Sequence, residues 1–228
     1  MDVWTGKQQQ LAWSVMPEFM KEKQEKEVQA RLKAIEKRYS KNFYVLDTET
    51  NGLKDNEPIQ IAALLFENGK QIDKFNRYYL PENAITKEAL AMHGKSRKDL
   101  QNMGAKYLTK GGCEMLKHFL NIKPDYPIVA HNAEYDREKV LRPAFKKLEA
   151  GHFMPPDKRW RCTMEMTKEF AGLFCKSLDA LLSWLEFDER EEDDKHEAVK
   201  DCEATAKAYM KLKAMPPLKK AELGWTKE

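Results

Sequence analysis

Three short groups of acids and one histidine sit at the ends of apolar runs. Asp47 and Glu49 follow Phe43-Tyr44-Val45-Leu46, which reads as a buried strand. Side chains alternate along a strand, so residues 47 and 49 point the same way. Two carboxylates on one side of a strand end repel each other unless a cation lies between them. A hard divalent ion with oxygen ligands is the natural partner. In a chain this acidic, a D-x-E triplet alone fits an exposed pair equally well.

The second group is His131-Asn132-Ala133-Glu134-Tyr135-Asp136. It begins where a strand at Ile128–Ala130 ends, and it runs into a helix. Active sites in open sheets gather at the carboxyl ends of strands, which makes Asp136 a candidate third ligand. The alternative is an acid that merely complements the helix dipole. The third group is His196-Glu197-Ala198-Val199-Lys200-Asp201. Ala198, Cys202, Thr205, Tyr209 and Leu212 form an apolar stripe at helical spacing. Asp201 borders that stripe and His196 lies about a turn earlier. Asp201 can therefore hold a metal while His196 reaches a water beside it. A lone histidine at a helix start also fits a capping role.

Several elements must position these groups. Ile59–Phe66 reads as a second strand, and Asn68-Gly69 as a hairpin turn into a third over Gln71–Tyr79. Ile128–Ala130 is a fourth, and Trp160–Thr163 a short fifth. Helical patterns cover 86–92, 109–121, 133–149, 163–172, 177–186 and 196–212. The expected fold is α/β, a mixed five-stranded sheet flanked by helices. Residues 1–40 read as a helical extension with a thin stripe of Val28, Leu32, Ile35 and Tyr39. Residues 41–212 read as the compact domain, and 213–228 as a tail. The acidic run 188–194 reads as a solvated loop.

The chain has 228 residues, enough for one substantial domain plus extensions. Its 40 basic and 37 acidic residues leave a formal charge of +3, which argues against a basic nucleic-acid coat but allows a local groove. No run approaches the roughly 18–20 apolar residues of a membrane span, and the N-terminus does not read as a signal peptide. No membrane partner is expected. The four cysteines form no zinc spacing. Reduced thiols and a cytoplasmic location are expected.

Taken together, the order D-x-E, then H-N-x-x-x-D, then H-x-x-x-x-D resembles the DEDDh (DnaQ-like) branch of 3′-to-5′ exonucleases. That branch includes the epsilon proofreading subunit of DNA polymerase III, RNase T and oligoribonuclease. Val45-Leu46-Asp47-Thr48-Glu49-Thr50-Asn51-Gly52-Leu53 is similar to the family's first motif nearly residue for residue. Met92-His93-Gly94 and Ser177-Leu178-Asp179-Ala180-Leu181 resemble two further family segments. Gln60 departs from a frequent glutamate, and Cys162 departs from a frequent aspartate before Thr163.

The resemblance implies an RNase H-like fold. It also implies two divalent ions, Mg²⁺ or Mn²⁺, held by Asp47, Glu49, Asp136 and Asp201. His196 would be the general base for the attacking water, and an imidazole titrates near 6.5, close to what that task needs. Thr48, Thr50, Asn51, Gly52, Leu53, His93 and Asn132 would bind the strand end, with Leu53 as a wedge against the terminal base. Arg137, Lys139, Arg142, Lys146, Lys147, Lys158, Arg159 and Arg161 are candidates for a phosphate track. The implied partner is a nucleic-acid 3′ end, single-stranded or frayed DNA by preference and RNA as the alternative. A polymerase or other replication partner fits a proofreading role. A non-catalytic binding subunit is the least favoured reading, because all four acids and His196 are present.

Overall fold

The computed structural model describes residues 41–171, 175–191 and 196–214, together with Glu22 and Lys26, which are helical and exposed. The expected stripe of the N-terminal extension and the tail beyond residue 214 lie outside the described residues.

Strand β1 runs Phe43–Thr50, β2 Pro58–Glu67 and β3 Lys70–Leu80. The three form an antiparallel meander, with Asn68 and Gly69 in the left-handed conformation that the hairpin turn needs. Helices α1 (Lys87–His93) and α2 (Arg97–Asn102) follow, then β4 (Lys106–Tyr107) and α3 (Lys110–Leu120). β5 (Ile128–Ala130) returns beside β1 in parallel, and β6 (Trp160–Cys162) pairs with β5. Between them lie a π-helix, Tyr135–Leu141, and α4, Arg142–Lys147. The chain continues through α5 (Thr163–Ala171), α6 (Leu178–Trp184) and α7 (Ala198–Ala214). Among the described residues no helix is long and apolar enough to cross a membrane.

The sheet has six strands in the order β4-β3-β2-β1-β5-β6, where five were expected. The added strand is the two-residue Lys106–Tyr107, too short to show any alternation. Helix α2 was also not anticipated. It is one short turn set by a capping box between Ser96 and Asp99. The expected helix over 133–149 divides in two because Pro143 has no N–H to continue an α-helical ladder. The wider turn sits just before it, and Arg142 bonds back to the carbonyl of Arg137.

Alternation along β1 splits the core into two layers. Tyr44 and Leu46 join the cluster under α3 with Leu116, Phe119 and Phe145. Phe43 and Val45 join the opposite cluster with Val199, Cys202 and Tyr209 of α7. The ring of Phe43 meets that of Tyr209 edge-on, with centroids 4.9 Å apart. Continuing the alternation sends Asp47 and Glu49 to the α7 face. Both acids lie within β1, which runs four residues further than the apolar run suggested.

The loop after β1 is tightly closed. Asn51 N–H donates to the Glu57 carbonyl (3.0 Å), and Thr86 N–H donates to the Asn51 carbonyl (2.8 Å), which docks the start of α1. Gly52 has φ +143°, and a Cβ there would lie 2.5 Å from Thr86 Cγ2. No L side chain fits both constraints. Gly52→Ala is therefore expected to destabilise the domain by about 1–3 kcal/mol. Gly151→Ala, where an added Cβ meets nothing within 4 Å, should change stability by less than about 0.5 kcal/mol. Urea denaturation of both variants checks the contrast, and equal stabilities would contradict the close approach.

Candidate active site

The sheet brings the three acidic groups to one end. Asp47 and Glu49 project from β1 toward α7, whose first turn carries Asp201 beside the buried stripe. Glu49, His196 and Asp201 each offer a ligand atom, and these atoms all lie within 4.8 Å of one another. Asp136 enters from the π-helix after β5 and is only 3% exposed. The hydroxyl of Thr48 donates to Asp136 Oδ1 at 2.7 Å, so one residue of β1 fixes the acid contributed by the next segment.

Crowding and burial push these acids the same way. Burial raises Asp47 well above the usual carboxylate range, and the charges of Asp136, Asp201 and Glu49 add to it. Glu49 is pushed up to about 8, by burial first and then by Asp201. Asp136 reaches about 7 through burial, against the pull of the Thr48 hydrogen bond. Burial raises Asp201 as well, opposed by the guanidinium of Arg190. Four carboxylates that resist losing their protons, with one imidazole among them, make a donor set that fits a hard divalent ion.

Other residues hold this constellation in place, and sequence reasoning missed them. Gln60 lies opposite Glu49 across the β1–β2 pair and is fully buried. Its amide nitrogen lies within hydrogen-bond reach of Asn76 Oδ1 (3.0 Å), the Tyr78 hydroxyl (3.2 Å) and Glu197 Oε1. Its carbonyl accepts from Ala198 N–H at 3.3 Å. Glu197 in turn accepts from Lys200 N–H (3.0 Å), capping α7. This network pins the residue next to His196, whose φ of +55° is costly for a non-glycine residue. The departure at Gln60 now has a reason, since an ionised glutamate could not donate to Glu197. Thr163, after the departure at Cys162, is bonded to His131 Nδ1 at 2.9 Å. Arg190, expected in a solvated loop, instead has a side chain only 12% exposed and ion-paired with Asp179 and Asp201.

The residues proposed to hold a strand end divide into two groups. Thr50 Oγ1 lies 3.2 Å from the Tyr135 hydroxyl, which donates to Asn56 Oδ1 at 2.9 Å. Tyr135 was not anticipated, although it directly precedes Asp136. His93 is 7% exposed, and its Nδ1 accepts from Lys95 N–H at 3.1 Å. That bond leaves the proton on Nε2, which feels the backbone of Thr50 without completing a close hydrogen bond. Burial, then Lys95, lowers His93 to about 4. Leu53 is 81% exposed at the loop tip, not a buried turn residue. The second group is occupied elsewhere. Thr48 holds Asp136. Asn51 spends its side chain on Glu57 N–H and the Ala84 carbonyl, and Gly52 serves the loop. Asn132 adopts φ +61° at the end of β5.

Part of the candidate phosphate track is neutralised or buried. Arg137 and Arg142 pair with Glu138, and Lys147 pairs with Glu82. Arg159 is buried and donates to the carbonyls of Leu120, Lys123 and Tyr126.

Comparison with known proteins gives this arrangement its class. The profile of the RNase T exonuclease family matches residues 44–209, and the chain belongs to that family. The PolC-type DNA polymerase III of Thermotoga maritima is 29% identical over 175 residues, covering 76% of this chain and 12% of that protein. The PolC-type DNA polymerase III of Bacillus subtilis is 25% identical over 185 residues, covering 75% and 11%. The chain thus spans about one eighth or less of the length of these relatives. Among solved structures, Exonuclease X in complex with 5′-overhanging duplex DNA shares the fold with a TM-score of 0.56 at 22% identity. The likeness covers 81% of this chain and 94% of that one. The nuclease domain of 3′hExo, a DEDDh family member bound to rAMP, gives a TM-score of 0.61 at 16% identity, covering 76% and 92%.

The raised carboxylates carry a prediction. The folded protein holds these protons to higher pH than the unfolded chain, so it binds more protons than the unfolded chain between their two pKa ranges. Metal-free stability should therefore fall as pH rises from about 4 toward the folded values near 7 for Asp136 and 8 for Glu49. Saturating Mg²⁺ should offset much of that loss. Melting temperatures in EDTA and in Mg²⁺ from pH 5 to 8 test this. A metal-free melting temperature that climbs across the window would contradict it.

Proposed function

We propose that the chain hydrolyses single-stranded or frayed DNA from the 3′ end and releases nucleoside 5′-monophosphates. The observation that carries this reading is the gathering of Glu49, His196 and Asp201 within 4.8 Å, beside Asp47 and Asp136, in a chain of an exonuclease family. Asp47, Glu49, Asp136 and Asp201 would hold two divalent ions, Mg²⁺ or Mn²⁺. When bound, such ions supply charge stabilisation for an in-line displacement at phosphorus.

The protein's own groups do the rest. His196 takes the proton of the attacking water, and its placement by the Gln60–Glu197 network orients it for that transfer. His93 Nε2–H is a buried donor that needs an acceptor, and an oxygen of the terminal nucleotide supplies one. Leu53 at the loop tip presents an apolar surface to the terminal base, a contact that tolerates any sequence. Thr50 and Tyr135 line the same turn.

DNA is favoured because the relatives matched in sequence are DNA polymerases by name. RNA is the second reading, favoured by the likeness to an exonuclease described as recognising the histone mRNA stem-loop. We read residues 41–212 as the exonuclease domain, with 1–40 and 213–228 as its extensions. A polymerase is the partner class that suits a proofreading role.

Two 5′-labelled strands of identical sequence, one DNA and one RNA, test the reaction with Mg²⁺ or Mn²⁺. The expected result is a ladder that shrinks from a free 3′ end, stops at a blocked one, and is faster on DNA. Asp47→Ala should abolish it, and His196→Gln should lower kcat about 10²- to 10⁴-fold with little change in KM. No metal-dependent shortening of either strand would favour a binding subunit instead.

A further inference from the structure

The segment between α6 and α7 was expected to be solvated, yet it sends one side chain into the acidic end of the sheet. Arg190 Nη1 donates to Asp201 Oδ1. On the other side, its Nε and Nη2 lie 2.8 and 2.7 Å from Asp179 Oδ1. The guanidinium thus bridges the first turn of α6 to the first turn of α7. Its side chain is 12% exposed, whereas Arg137 and Arg142, which pair with Glu138, are 24% and 42% exposed. Its charge is also felt at Asp47. This is the arrangement expected of a cation that neutralises a crowded carboxylate site from within.

We infer that Arg190 is an internal counter-cation that competes with divalent ions for Asp201. This rests on the reading that Asp201 is a metal ligand. A guanidinium and a divalent ion seek the same oxygen and repel each other. An ion taking Asp201 must therefore displace Arg190 from it, while Asp179 keeps the arginine tethered. The contact then lowers the apparent metal affinity by the stability it lends the metal-free protein. It also keeps the four acids from repelling one another unopposed.

Mn²⁺ titration of the full chain, without nucleic acid, tests this by calorimetry or by electron paramagnetic resonance of the free ion. Arg190→Gln should bind Mn²⁺ at least tenfold more tightly than the unaltered protein. Its melting temperature should fall in EDTA but match the parent at saturating Mn²⁺. Arg190→Lys keeps the charge but is too short to span both carboxylates, and should bind several-fold more tightly. If the glutamine variant unfolds in EDTA and refolds on adding Mn²⁺, the proposal stands, because the ion then does what the guanidinium did. Equal or weaker binding in both variants overturns it.

A second readout needs no substitution. The Arg190 Nη1 hydrogens, which report the bond to Asp201, should be protected from solvent exchange in EDTA and lose that protection on Mg²⁺ saturation, while Nε–H stays held by Asp179. Nη1 hydrogens that Mg²⁺ leaves unchanged also overturn the proposal. Failure of the underlying reading looks different, since then neither the parent nor either variant binds Mn²⁺ at all.

Discussion

Four carboxylates converge on the C-terminal half of one central strand, and their mutual repulsion in a partly buried setting governs how the surrounding structure is built. Isolated in water, Asp47, Glu49, Asp136 and Asp201 would ionise without interference. Here burial and proximity raise all four above their ordinary range. Each neighbour that reaches them relieves part of that tension. Thr48 donates to Asp136, Arg190 pairs with Asp201, and the charge of Lys95 acts on Glu49. A site of this kind destabilises its own fold in order to attract cations, a cost that a buried two-layer core can absorb.

The histidine is held by a different device. His196 carries a left-handed backbone at the entrance to α7, a conformation that persists only where neighbours over-determine it. The neighbours are in β2 and β3. Gln60 and Tyr78 grip Glu197, Glu197 caps the helix, and the helix carries Asp201. Because Gln60 and Glu49 are cross-strand partners, one register links one of the clustered acids to the group that places the histidine. A one-residue slip would turn both to the wrong face.

Local patterns in the chain were enough to find much of this. The alternation of β1 put Asp47 and Glu49 on one face, and the stripe of α7 put Asp201 at the border of the core. The Asn68-Gly69 turn and the run Ile128–Ala130 were likewise visible. What stayed hidden depends on partners far away in sequence. Gln60 and Glu197 are 137 positions apart, and nothing in either residue type announces the pairing. Arg190 sits in an acidic run whose composition suggests only solvent, yet its two carboxylate partners lie on separate helices. Asn51 reads as a substrate contact because of its place in a motif, and the sequence does not announce that its side chain also closes the loop. β4 is too short for any pattern, and the expected helix over 133–149 runs through Pro143, just before which the chain instead takes a wider turn.

The residues proposed to meet a strand end are neutral, and the same electrostatics explain why. A strand end brings phosphates toward acids that already repel one another. Cationic side chains placed among those acids would pair with them, as Arg190 does, rather than wait for a phosphate. Three of the basic residues after β5 show the same tendency, since Arg137, Arg142 and Lys147 are paired with acids. Near the turn that follows β1, the proposed contacts are instead a histidine lowered to about 4, the hydroxyls of Thr50 and Tyr135, and the exposed Leu53, beside Lys95, whose charge acts on Glu49. Such groups recognise the shape and hydrogen bonding of a single terminal nucleotide better than the charge of a long backbone. Under the proposed function, a chain of formal charge +3 whose Arg137, Arg142 and Arg190 are paired with acids would grip an end rather than a long backbone, and divalent ions would supply the positive charge where the phosphate reacts.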